Sequence, residues 1–542
     1  MSTPAHSPVG TIVSTQLAQL GHTSLADVLT KACQDYADKP AFSCGMDTLS
    51  FNDLDAKADA LARYLRGPLG LQPGERIAIQ LPNLLQYTIS IFAALKAGLV
   101  IVNTNPQYTP FETRHQFADS GARALIVLDK LLPMVRKIQP ETQIEKLIVT
   151  SMDDMTQPMF ESDEADVTRF MLALREGAQQ PAVSPEQGLD DLAILQYTGG
   201  TTGVSKGAML SHRNILSNVL QAVDVIKPGD VEYGNEVRVS PLPLYHIFAF
   251  TANCIASVFT GFHSILITNP RDLDGMIGDL KRHRITLLTG INSLFVSLMA
   301  HPDFDSIDFS HLKWVNSGGA PLNTEIARRW FERTGSVVRE GYGLTETSPV
   351  VVASTAFTPY KEGFIGKAVI DTEMKTVDDD GQETPRGEPG ELLIRGPQVM
   401  QGYWQRPEAT AETFADGWLK TGDVGVIDEE GFLKLVDRKK DMILVSGFNV
   451  YPNEVEDAVM RHAGIRECVA VGVPDEKKGE SIKLFVSLHD PKLGQAEIIA
   501  HCREHLTGYK VPSTVEIRDD LPKSTVGKLL RRVLRDEARA AS

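Results

Sequence analysis

A glycine- and threonine-rich stretch, Tyr197–Gly207 (YTGGTTGVSKG), contains the residue types that most directly suggest chemistry. It holds four glycines, three threonines and one lysine, and it continues a strand-like apolar run at 192–198. Glycines let backbone N–H groups approach an anion closely, threonine hydroxyls can donate hydrogen bonds, and Lys206 adds positive charge. The loop therefore suits a polyphosphate. It does not fit the GxxxxGK[ST] pattern, because Ser205 precedes Lys206 where that pattern has glycine.

Further motifs follow this loop along the chain. They are SGGAPL (317–322), GYGLTET (341–347), WLKTGD (418–423), DRKKDMILVSGFNVYPNEVE (437–456) and PKSTVGKLLRR (522–532). In this order, and together with the loop, they resemble the adenylate-forming superfamily of acyl-CoA synthetases, luciferases and peptide-synthetase adenylation domains. The likeness covers nearly the whole chain. Residues 415–441 resemble the fatty-acyl-CoA synthetase signature, and the closest likeness is to bacterial long-chain fatty acid–CoA ligases.

The resemblance implies a ligase that uses ATP and Mg²⁺ to make an acyl-adenylate from a fatty acid and then transfers the acyl group to coenzyme A. In such a reaction a carboxylate attacks the α-phosphate, so positive charge must offset the repulsion between two anions. Two alternatives stay open. One is a CoA ligase for medium-chain, branched or aryl acids. The other is an acyl-adenylate binder without turnover, against which the presence of Glu346, Asp423, Arg438 and Lys528 argues.

An extended ATP and metal site follows from the resemblance. Glu346 and Thr202 would ligate Mg²⁺, Tyr342 would stack on adenine, and Asp423 with Arg438 would bind the ribose and phosphate. Taken singly, Glu346 could be a capping residue, Asp423 a turn residue and Arg438 a surface ion-pair partner. The implied ATP-binding residues are Thr198, Gly199, Gly200, Thr201, Thr202, Gly203, Lys206, Gly319, Ala320, Gly341, Tyr342, Gly343, Thr345, Glu346, Asp423, Arg438 and Lys528.

Lys528 is the cation expected to act in adenylation. The amphipathic pattern LLRRVLRDEAR (529–539) predicts a helix that Lys528 opens, with Arg531 and Arg532 in its first turns. Cations at a helix N-terminus oppose the helix dipole, and this unfavourable placement points to function. The alternative is a helix that begins near Ser524 and carries Lys528 as a surface lysine. The resemblance implies that Lys528 contacts the carboxylate and α-phosphate during adenylation only.

The apolar segment around His246 is the candidate wall of an acyl pocket. By resemblance, His246 would close over the acyl and phosphate region as a further catalytic residue. The segment PLPLYHIFAF (241–250) is also compatible with ordinary core packing of a histidine beside a buried helix. The residues assigned to the pocket are His246, Ile247, Phe248, Phe250, Gly290, Ile291 and Gly318.

Alternating strand and helix signals organise the first 150 residues. RIAIQL (76–81), LVIVNT (99–104) and ALIVLD (124–129) are strand-like, and residues 83–96 have helical spacing. This alternation predicts an α/β fold with parallel strand pairing. Residues 151–190 are acidic and turn-rich, which predicts an exposed excursion.

A change of pattern near residue 364 predicts further subdivision. Residues 364–437 are β-rich with glycine and proline between short segments, and about 100 residues of α+β pattern follow Arg438. We expect layered α/β subdomains and a β-rich subdomain at 1–437, a hinge at 438–441 and a small mobile α+β domain at 442–542. The resemblance implies rotation about Lys440 between half-reactions, with Ser446, Gly447 and Phe448 at the CoA pantetheine tunnel.

Composition narrows the class of protein. Apolar residues make up 42% of the 542-residue chain, which permits large cores, and a net charge of −16 argues against nucleic-acid binding. Five dispersed cysteines predict reduced thiols in the cytoplasm, and the N-terminus lacks a signal-peptide pattern.

The uncharged stretch Ile247–Ile267 is long enough to span a bilayer, but its polar residues favour a buried helix followed by a strand. Peripheral contact with the inner membrane and a homodimer stay open.

Overall fold

The computed structural model describes residues 11–162, 164, 166–198, 205–226, 231–319, 322–355, 358, 361, 363–446, 448–475, 478–524 and 527–540. The chain divides into two compact units. The first comprises Met1–Tyr360, Gly366–Glu373 and Arg395–Gly417. The second comprises Lys361–Ile365, Met374–Ile394 and Trp418–Ser542. Each unit contains both helices and strands, and the predicted α/β fold class is confirmed.

One sheet of the first unit has seven strands among the described residues. All neighbours pair in parallel except the last two, which are antiparallel. The central strands are buried on both faces, as their unbroken apolar sequences require. The strands predicted at 76–81, 99–104, 124–129 and 192–198 are confirmed to within one residue at each end. In sheet order the strands are Val167–Arg169, Lys146–Thr150, Ala124–Leu128, Arg76–Gln80, Val100–Asn103, Leu192–Thr198 and Lys206–Ser211.

A nine-stranded sheet completes the first unit. The six strands from Val338–Gly343 to Pro40–Cys44 in sheet order pair in parallel, so their carboxyl ends leave the sheet at one edge. In sheet order the strands are Lys367–Ala368, Val350–Ala353, Val338–Gly343, Trp314–Gly318, Leu287–Gly290, Val237–Ser240, His263–Leu266, Pro40–Cys44 and Asp47–Ser50. Phe414–Ala415 is a further short strand of the unit.

Helices cover these sheets, and the predicted helix at 83–96 is observed as Leu85–Lys96. The α-helices of the first unit are Thr11–Leu20, Ala26–Tyr36, Phe51–Arg66, Leu85–Lys96, Pro110–Ser120, Leu132–Ile138, Phe170–Gly177, His212–Asp224, Ile247–Ala249, Ala256–Thr260, Leu273–Arg282, Asn292–Ala300, Thr324–Thr334 and Pro407–Thr413. Short 3₁₀ turns are Asp129–Leu131, Gln139–Glu141, Phe304–Ser306 and Thr345–Thr347, and Phe250–Ile255 is a π-helical turn.

Residues 151–190 are more structured than their acidic sequence suggested. Val167–Arg169 adds an edge strand to the seven-stranded sheet, and the helix Phe170–Gly177 buries Phe170 and Leu174. This helix packs so closely on the helix Phe51–Arg66 that a Cβ at Gly177 would lie 1.9 Å from the Ala60 carbonyl oxygen. The predicted exposed excursion holds for most described residues of 151–166 and 178–190, but not for 167–177, where an edge strand and a short helix bury apolar side chains.

The uncharged stretch 247–267 forms helical turns and then a strand. The helix ends at Thr260, Gly261 adopts a left-handed φ of 71°, and the strand His263–Leu266 follows. This confirms a buried helix followed by a strand. Among the described residues, no helix is both long and apolar enough to cross a membrane. Peripheral membrane contact and a homodimer stay predictions.

In the second unit a sheet of antiparallel pairs contains Glu373–Val377, Pro389–Arg395, Trp418–Ile427 and Leu433–Arg438. A second sheet contains, in order, Phe448–Val450, Ile443–Val445, Gly479–Leu488 and Ile465–Asp475, and Thr514–Ile517 pairs in parallel with Gly479–Leu488. The helices are Pro452–Met460, Gln495–His505 and Arg531–Ala540, with 3₁₀ turns at Lys439–Asp441 and Gly508–Lys510.

The predicted domain boundary at 438–441 coincides with the 3₁₀ turn Lys439–Asp441, which joins the two sheets of the second unit. The division into compact units falls elsewhere, since residues 374–394 and 418–437 group with the C-terminal residues. The boundary at 438–441 therefore stays a prediction.

A buried carboxamide joins the two sheets of the first unit. Asn83, 3% exposed, donates from Nδ2 to the carbonyl oxygens of Ser240, Leu242 and Ile267 at 2.9–3.2 Å. Its Oδ1 accepts from the Leu244 N–H at 2.8 Å. Asn83 follows the seven-stranded sheet's strand Arg76–Gln80, and its partners belong to the nine-stranded sheet and the loop after Val237–Ser240. One side chain thus makes four hydrogen bonds to backbone groups, of which the Ser240 carbonyl oxygen also accepts from the Ile267 N–H at 3.2 Å.

We expect Asn83→Leu to destabilise the protein by about 3 kcal/mol, because several buried backbone groups lose their partner at once. Urea unfolding followed by circular dichroism measures the change. The exposed Asn52, changed to Ala, is the control and should alter the free energy of unfolding by less than about 0.5 kcal/mol. Equal stability of the two variants would contradict this role for Asn83.

Candidate active site

Two parallel strands bring the first predicted site residues together. In the strands Trp314–Gly318 and Val338–Gly343, Ser317 is opposite Glu340 and Gly318 is opposite Gly341. A Cβ at Gly318 would lie 3.2 Å from both the Gly341 carbonyl oxygen and the Phe248 ring, so glycine allows this close approach. Gly319, which follows, has a left-handed φ of 82°. The sequence motifs at 317–322 and 341–347 therefore meet at one sheet edge, with Phe248 beside them.

The GYGLTET motif ends in a turn that presents Glu346. Gly343 passes close to another backbone segment, since a Cβ there would lie 1.9 Å from the Pro349 carbonyl oxygen. Tyr342, 9% exposed, is opposite Val352 in the neighbouring strand. Thr345 and Glu346 lie in the 3₁₀ turn that follows, and Glu346 keeps part of its surface exposed.

Tyr403 binds the Glu346 side chain. Its hydroxyl donates to Glu346 Oε1 at 2.7 Å. Burial, together with the charge of Glu346, raises the pKa of Tyr403, which keeps the hydroxyl protonated as a donor. Tyr403 was not predicted from the sequence, although it lies in a GYW segment between two of the quoted motifs.

The polyphosphate loop joins two antiparallel strands at their paired ends. Thr198 is opposite Lys206, and the loop runs between them. Lys206 Nζ lies 5.1 Å from the centre of the Tyr403 ring, within the range of a cation–π interaction. The Ser205 carbonyl oxygen is bound by His115 Nε2 at 2.8 Å. Gly199, Gly200, Thr201, Thr202 and Gly203, as well as Ala320 and Gly447, lie outside the described residues.

The residues assigned to the acyl pocket separate into two groups. Ile247 and Phe250 are 1% and 0% exposed and pack as core residues, whereas His246 and Phe248 keep some exposed surface. Gly290 is buried at the end of its strand, where a Cβ would lie 2.6 Å from the Phe295 ring. Ile291 is partly buried against the same core. Ile247, Phe250 and Gly290 are thus buried, as core packing requires, and their assignment to an acyl pocket stays a prediction, whereas Phe248 reaches Gly318.

In the second unit, Asp423 and Arg438 form the expected pair. They are directly opposite each other in neighbouring strands, and Arg438 Nε lies 3.1 Å from Asp423 Oδ1. Gly422 has a φ of 69°, and the Asp423 N–H donates to Thr421 Oγ1 at 3.0 Å. An irregularity within the strand Trp418–Ile427 and the strand register together hold a carboxylate beside a guanidinium, so Asp423 is a strand residue and not a turn residue.

Lys528 lies in the loop before the C-terminal helix. The helix begins at Arg531, so the prediction that Lys528 opens it was wrong, and so was a start near Ser524. Gly527 has a φ of 74°, and Ser524 Oγ accepts from the Lys528 N–H at 3.1 Å. Lys528 is an exposed residue, but protein atoms around its ammonium group displace water, and Arg438 repels it. Desolvation and, secondly, Arg438 lower the pKa of Lys528 to about 8 against the attraction of Asp423.

Arg531 lies among three carboxylates that could not be predicted from the sequence. Its Nη2 donates to both carboxylate oxygens of Glu456 at 2.8 Å, and Nη1 lies 3.2 Å from Asp437 Oδ1 and 3.7 Å from Asp441 Oδ2. Burial raises the pKa of Glu456 to about 7, although Arg531 opposes this. The unfavourable dipole placement of Arg531 is therefore offset by carboxylates, and it is not evidence of catalysis.

The turn around Lys440 and the segment 445–448 carry the remaining predicted residues. Desolvation and repulsion from Arg438 lower the pKa of Lys440 to about 8. Ser446 has a left-handed φ of 52°. Phe448 is 56% exposed and stacks on Tyr509, with ring centres 4.7 Å apart.

The chain is similar to known enzymes in sequence and in fold. The family model for an AMP-binding enzyme matches residues 29–404, and the model for an AMP-binding enzyme C-terminal domain matches residues 454–528. The long-chain-fatty-acid–CoA ligase of Escherichia coli O6:H1 is 47% identical, over 97% of each chain. The ligase of the same description from Salmonella typhimurium is 48% identical, over 96% of this chain and 95% of that one.

A solved structure of the anthranilate CoA ligase AuaEII in complex with anthranoyl-AMP is also similar. It superposes with a TM-score of 0.87 at 26% identity, over 96% of this chain and 98% of that chain.

The lowered pKa of Lys528, together with the role in adenylation that the resemblance implies for it, predicts a pH-dependent adenylation step. The charged ammonium form is present below about pH 8 and is lost as the pH rises through the pKa, so the rate should fall above about pH 8. The measurement is the pH dependence of pyrophosphate exchange. Lys528→Arg, whose guanidinium stays charged, should remove this falling limb even if its rate is lower. An unchanged limb in Lys528→Arg would contradict the assignment.

Proposed function

The chain belongs to the AMP-binding enzyme family, and from this we propose that it joins long-chain fatty acids to coenzyme A through an acyl-adenylate. It is an AMP-forming acid–thiol ligase with ATP and CoA as co-substrates. Among the geometric observations, the one that best supports this proposal is the grouping of Lys528 with Asp423 and Arg438 in the second unit. A carboxylate for the ribose and a cation for the reacting anions are then close to each other.

Two displacements make up the proposed reaction. A fatty acid carboxylate oxygen attacks the α-phosphorus of ATP, and the bond to pyrophosphate breaks, which gives an acyl-adenylate. The CoA sulfur then attacks the acyl carbonyl, the thiol proton leaves, and AMP departs with the electron pair of the broken anhydride bond. In the first step Lys206 would offset phosphate charge and Lys528 would offset the charge of the carboxylate and α-phosphate.

Magnesium is the proposed metal, with Glu346 and Thr202 as its protein ligands. Mg²⁺ prefers hard oxygen donors and usually takes one or two carboxylates, substrate phosphates and water rather than a full protein cage. A partly exposed Glu346 with one oxygen held by Tyr403 fits this preference. Within the described part of the chain, no group of three or more acidic, histidine or cysteine residues that could hold a metal is found. When bound, the ion would neutralise charge on the phosphates.

A rearrangement that exchanges Lys528 for Ser446, Gly447 and Phe448 at the active site would separate the two half-reactions. We place its pivot at Lys440, within the turn that joins the two sheets of the second unit. In the adenylating state Lys528 faces the reacting anions, and in the thioester state Ser446, Gly447 and Phe448 take over to admit the thin pantetheine arm. The exposed Phe448 and the turn conformation of Ser446 support an assignment of this segment to ligand contact.

Lys528→Ala should slow acyl-adenylate formation by at least about a hundredfold, because the reacting anions lose their cation. Thioester formation from supplied acyl-adenylate and CoA should stay within about threefold of the unaltered rate. Pyrophosphate exchange and thioester release measure the two steps separately. Lys523→Ala, which removes an ion pair five residues away, is the matched control. An equal loss of both half-reactions in Lys528→Ala would contradict the division of roles.

Substrate class is tested by AMP release with saturated acids from C2 to C18, benzoate and anthranilate, each with and without CoA. We expect the largest kcat/KM with long-chain acids, and CoA-dependent turnover. Preference for an aryl acid would favour the alternative of a CoA ligase for aryl acids, which the structural similarity to an anthranilate CoA ligase supports. Adenylate formation without any thioester would overturn the ligase proposal.

A further inference from the structure

We propose that Tyr403 is a positioning residue that holds both the metal-ligand carboxylate of Glu346 and the phosphate-loop cation Lys206. The inference rests on the proposed function, since it assigns a task to Tyr403 in the binding of ATP and Mg²⁺. Its hydroxyl donates to Glu346 Oε1 at 2.7 Å, and its ring centre lies 5.1 Å from Lys206 Nζ. One side chain thereby contacts both groups that meet the phosphates.

The backbone around Tyr403 is built into the phosphate-loop strand. Tyr403 is opposite Ala208 in an antiparallel bridge, and the Trp404 N–H donates to the Gly207 carbonyl oxygen at 2.8 Å. Two further bonds connect Met209 with Gly402 and Gln401, both at 2.9 Å. The segment 401–404 is therefore bound to the strand Lys206–Ser211 by an isolated bridge and three backbone hydrogen bonds, which fix the position of Tyr403 relative to Lys206.

The same segment is tied to the Glu346 turn and to the helix that follows. The Met400 N–H donates to the backbone oxygen of Glu346 at 2.8 Å, so both the main chain and the side chain of Glu346 are bound. The Tyr403 N–H donates to Thr410 Oγ1 at 2.9 Å in the helix Pro407–Thr413. Tyr403 is therefore itself rigidly placed, as a group that orients a metal ligand must be.

The chemistry of this arrangement follows from the atoms used. A hydrogen bond at Oε1 fixes the rotation of the Glu346 carboxylate and leaves Oε2 to face a metal ion. An aromatic face attracts the lysine ammonium without neutralising it, so Lys206 is held while its full charge remains for the phosphates. A carboxylate in place of the ring would hold Lys206 equally well but would cancel that charge.

Substitution of Tyr403 separates these two contacts. Tyr403→Phe keeps the ring and loses the hydroxyl, whereas Tyr403→Leu loses both. Isothermal titration calorimetry with ATP alone, without fatty acid, gives the Kd in Mg²⁺ and in EDTA. We expect the unaltered chain to bind ATP more tightly in Mg²⁺ than in EDTA. In Tyr403→Phe the ratio of the Kd in EDTA to the Kd in Mg²⁺ should fall about tenfold, while the Kd in EDTA is unchanged. Tyr403→Leu should in addition weaken binding in EDTA.

Tyr64→Phe is the control, because it removes a tyrosine hydroxyl that binds Thr168 at 2.8 Å elsewhere in the first unit. Its Kd should be unchanged in both media, and circular dichroism melting verifies that all variants fold. Full retention of the Mg²⁺ gain in Tyr403→Phe, or an equal loss in Mg²⁺ and EDTA, would overturn the inference alone. Absence of any Mg²⁺ gain in the unaltered chain would overturn the proposed use of Mg²⁺–ATP as well.

Discussion

The attack of one anion on another sets the constraint on which this structure depends. Positive charge must be held where a carboxylate meets a phosphate, and it must not be cancelled by the protein's own acidic groups. With a net charge of −16, carboxylates are in excess on this chain. Lys206 lies over an aromatic ring, and Lys528 is crowded by Arg438 as well as attracted by Asp423. Among the described residues, neither lysine forms an ion pair shorter than 4.0 Å, which leaves their charge for ligands.

Arg531 illustrates the opposite use of a cation. It is three residues from Lys528, yet Glu456, Asp437 and Asp441 surround it, and its side chain is 18% exposed. In a buried cluster of this kind each charge is offset by its partners, and removal of one member leaves an uncompensated charge. The cluster connects the strand before the turn Lys439–Asp441 with the helices after it. The cluster lies beside the loop that carries Lys528, so Arg531 and the lysine proposed to act in adenylation differ in their partners.

Many elements could be predicted because their cause is local. Apolar runs such as Ile194–Leu195 and Ile126–Val127 have no stable place except a buried strand, and strand positions 76–81 and 192–198 were correct. The helix start at Arg531 was predicted wrongly. The carboxylate that offsets the charge of Arg531 belongs to Glu456, which is 75 residues away in sequence, so the local pattern could not reveal it. Within residues 151–190 the docked part 167–177 was not predicted, because the position of the helix on which it packs is not contained in the local sequence.

By itself the sequence determined the strand that ends at Thr198, the glycine-rich loop that follows it, and the order of motifs that carry Glu346, Asp423 and Lys528. Only the tertiary structure decided that Tyr403 binds Glu346 across 57 residues and that Ile247 and Phe250 are core residues. The physical reason is that backbone preferences act between neighbours, whereas such contacts depend on strand register and on which buried polar groups find partners.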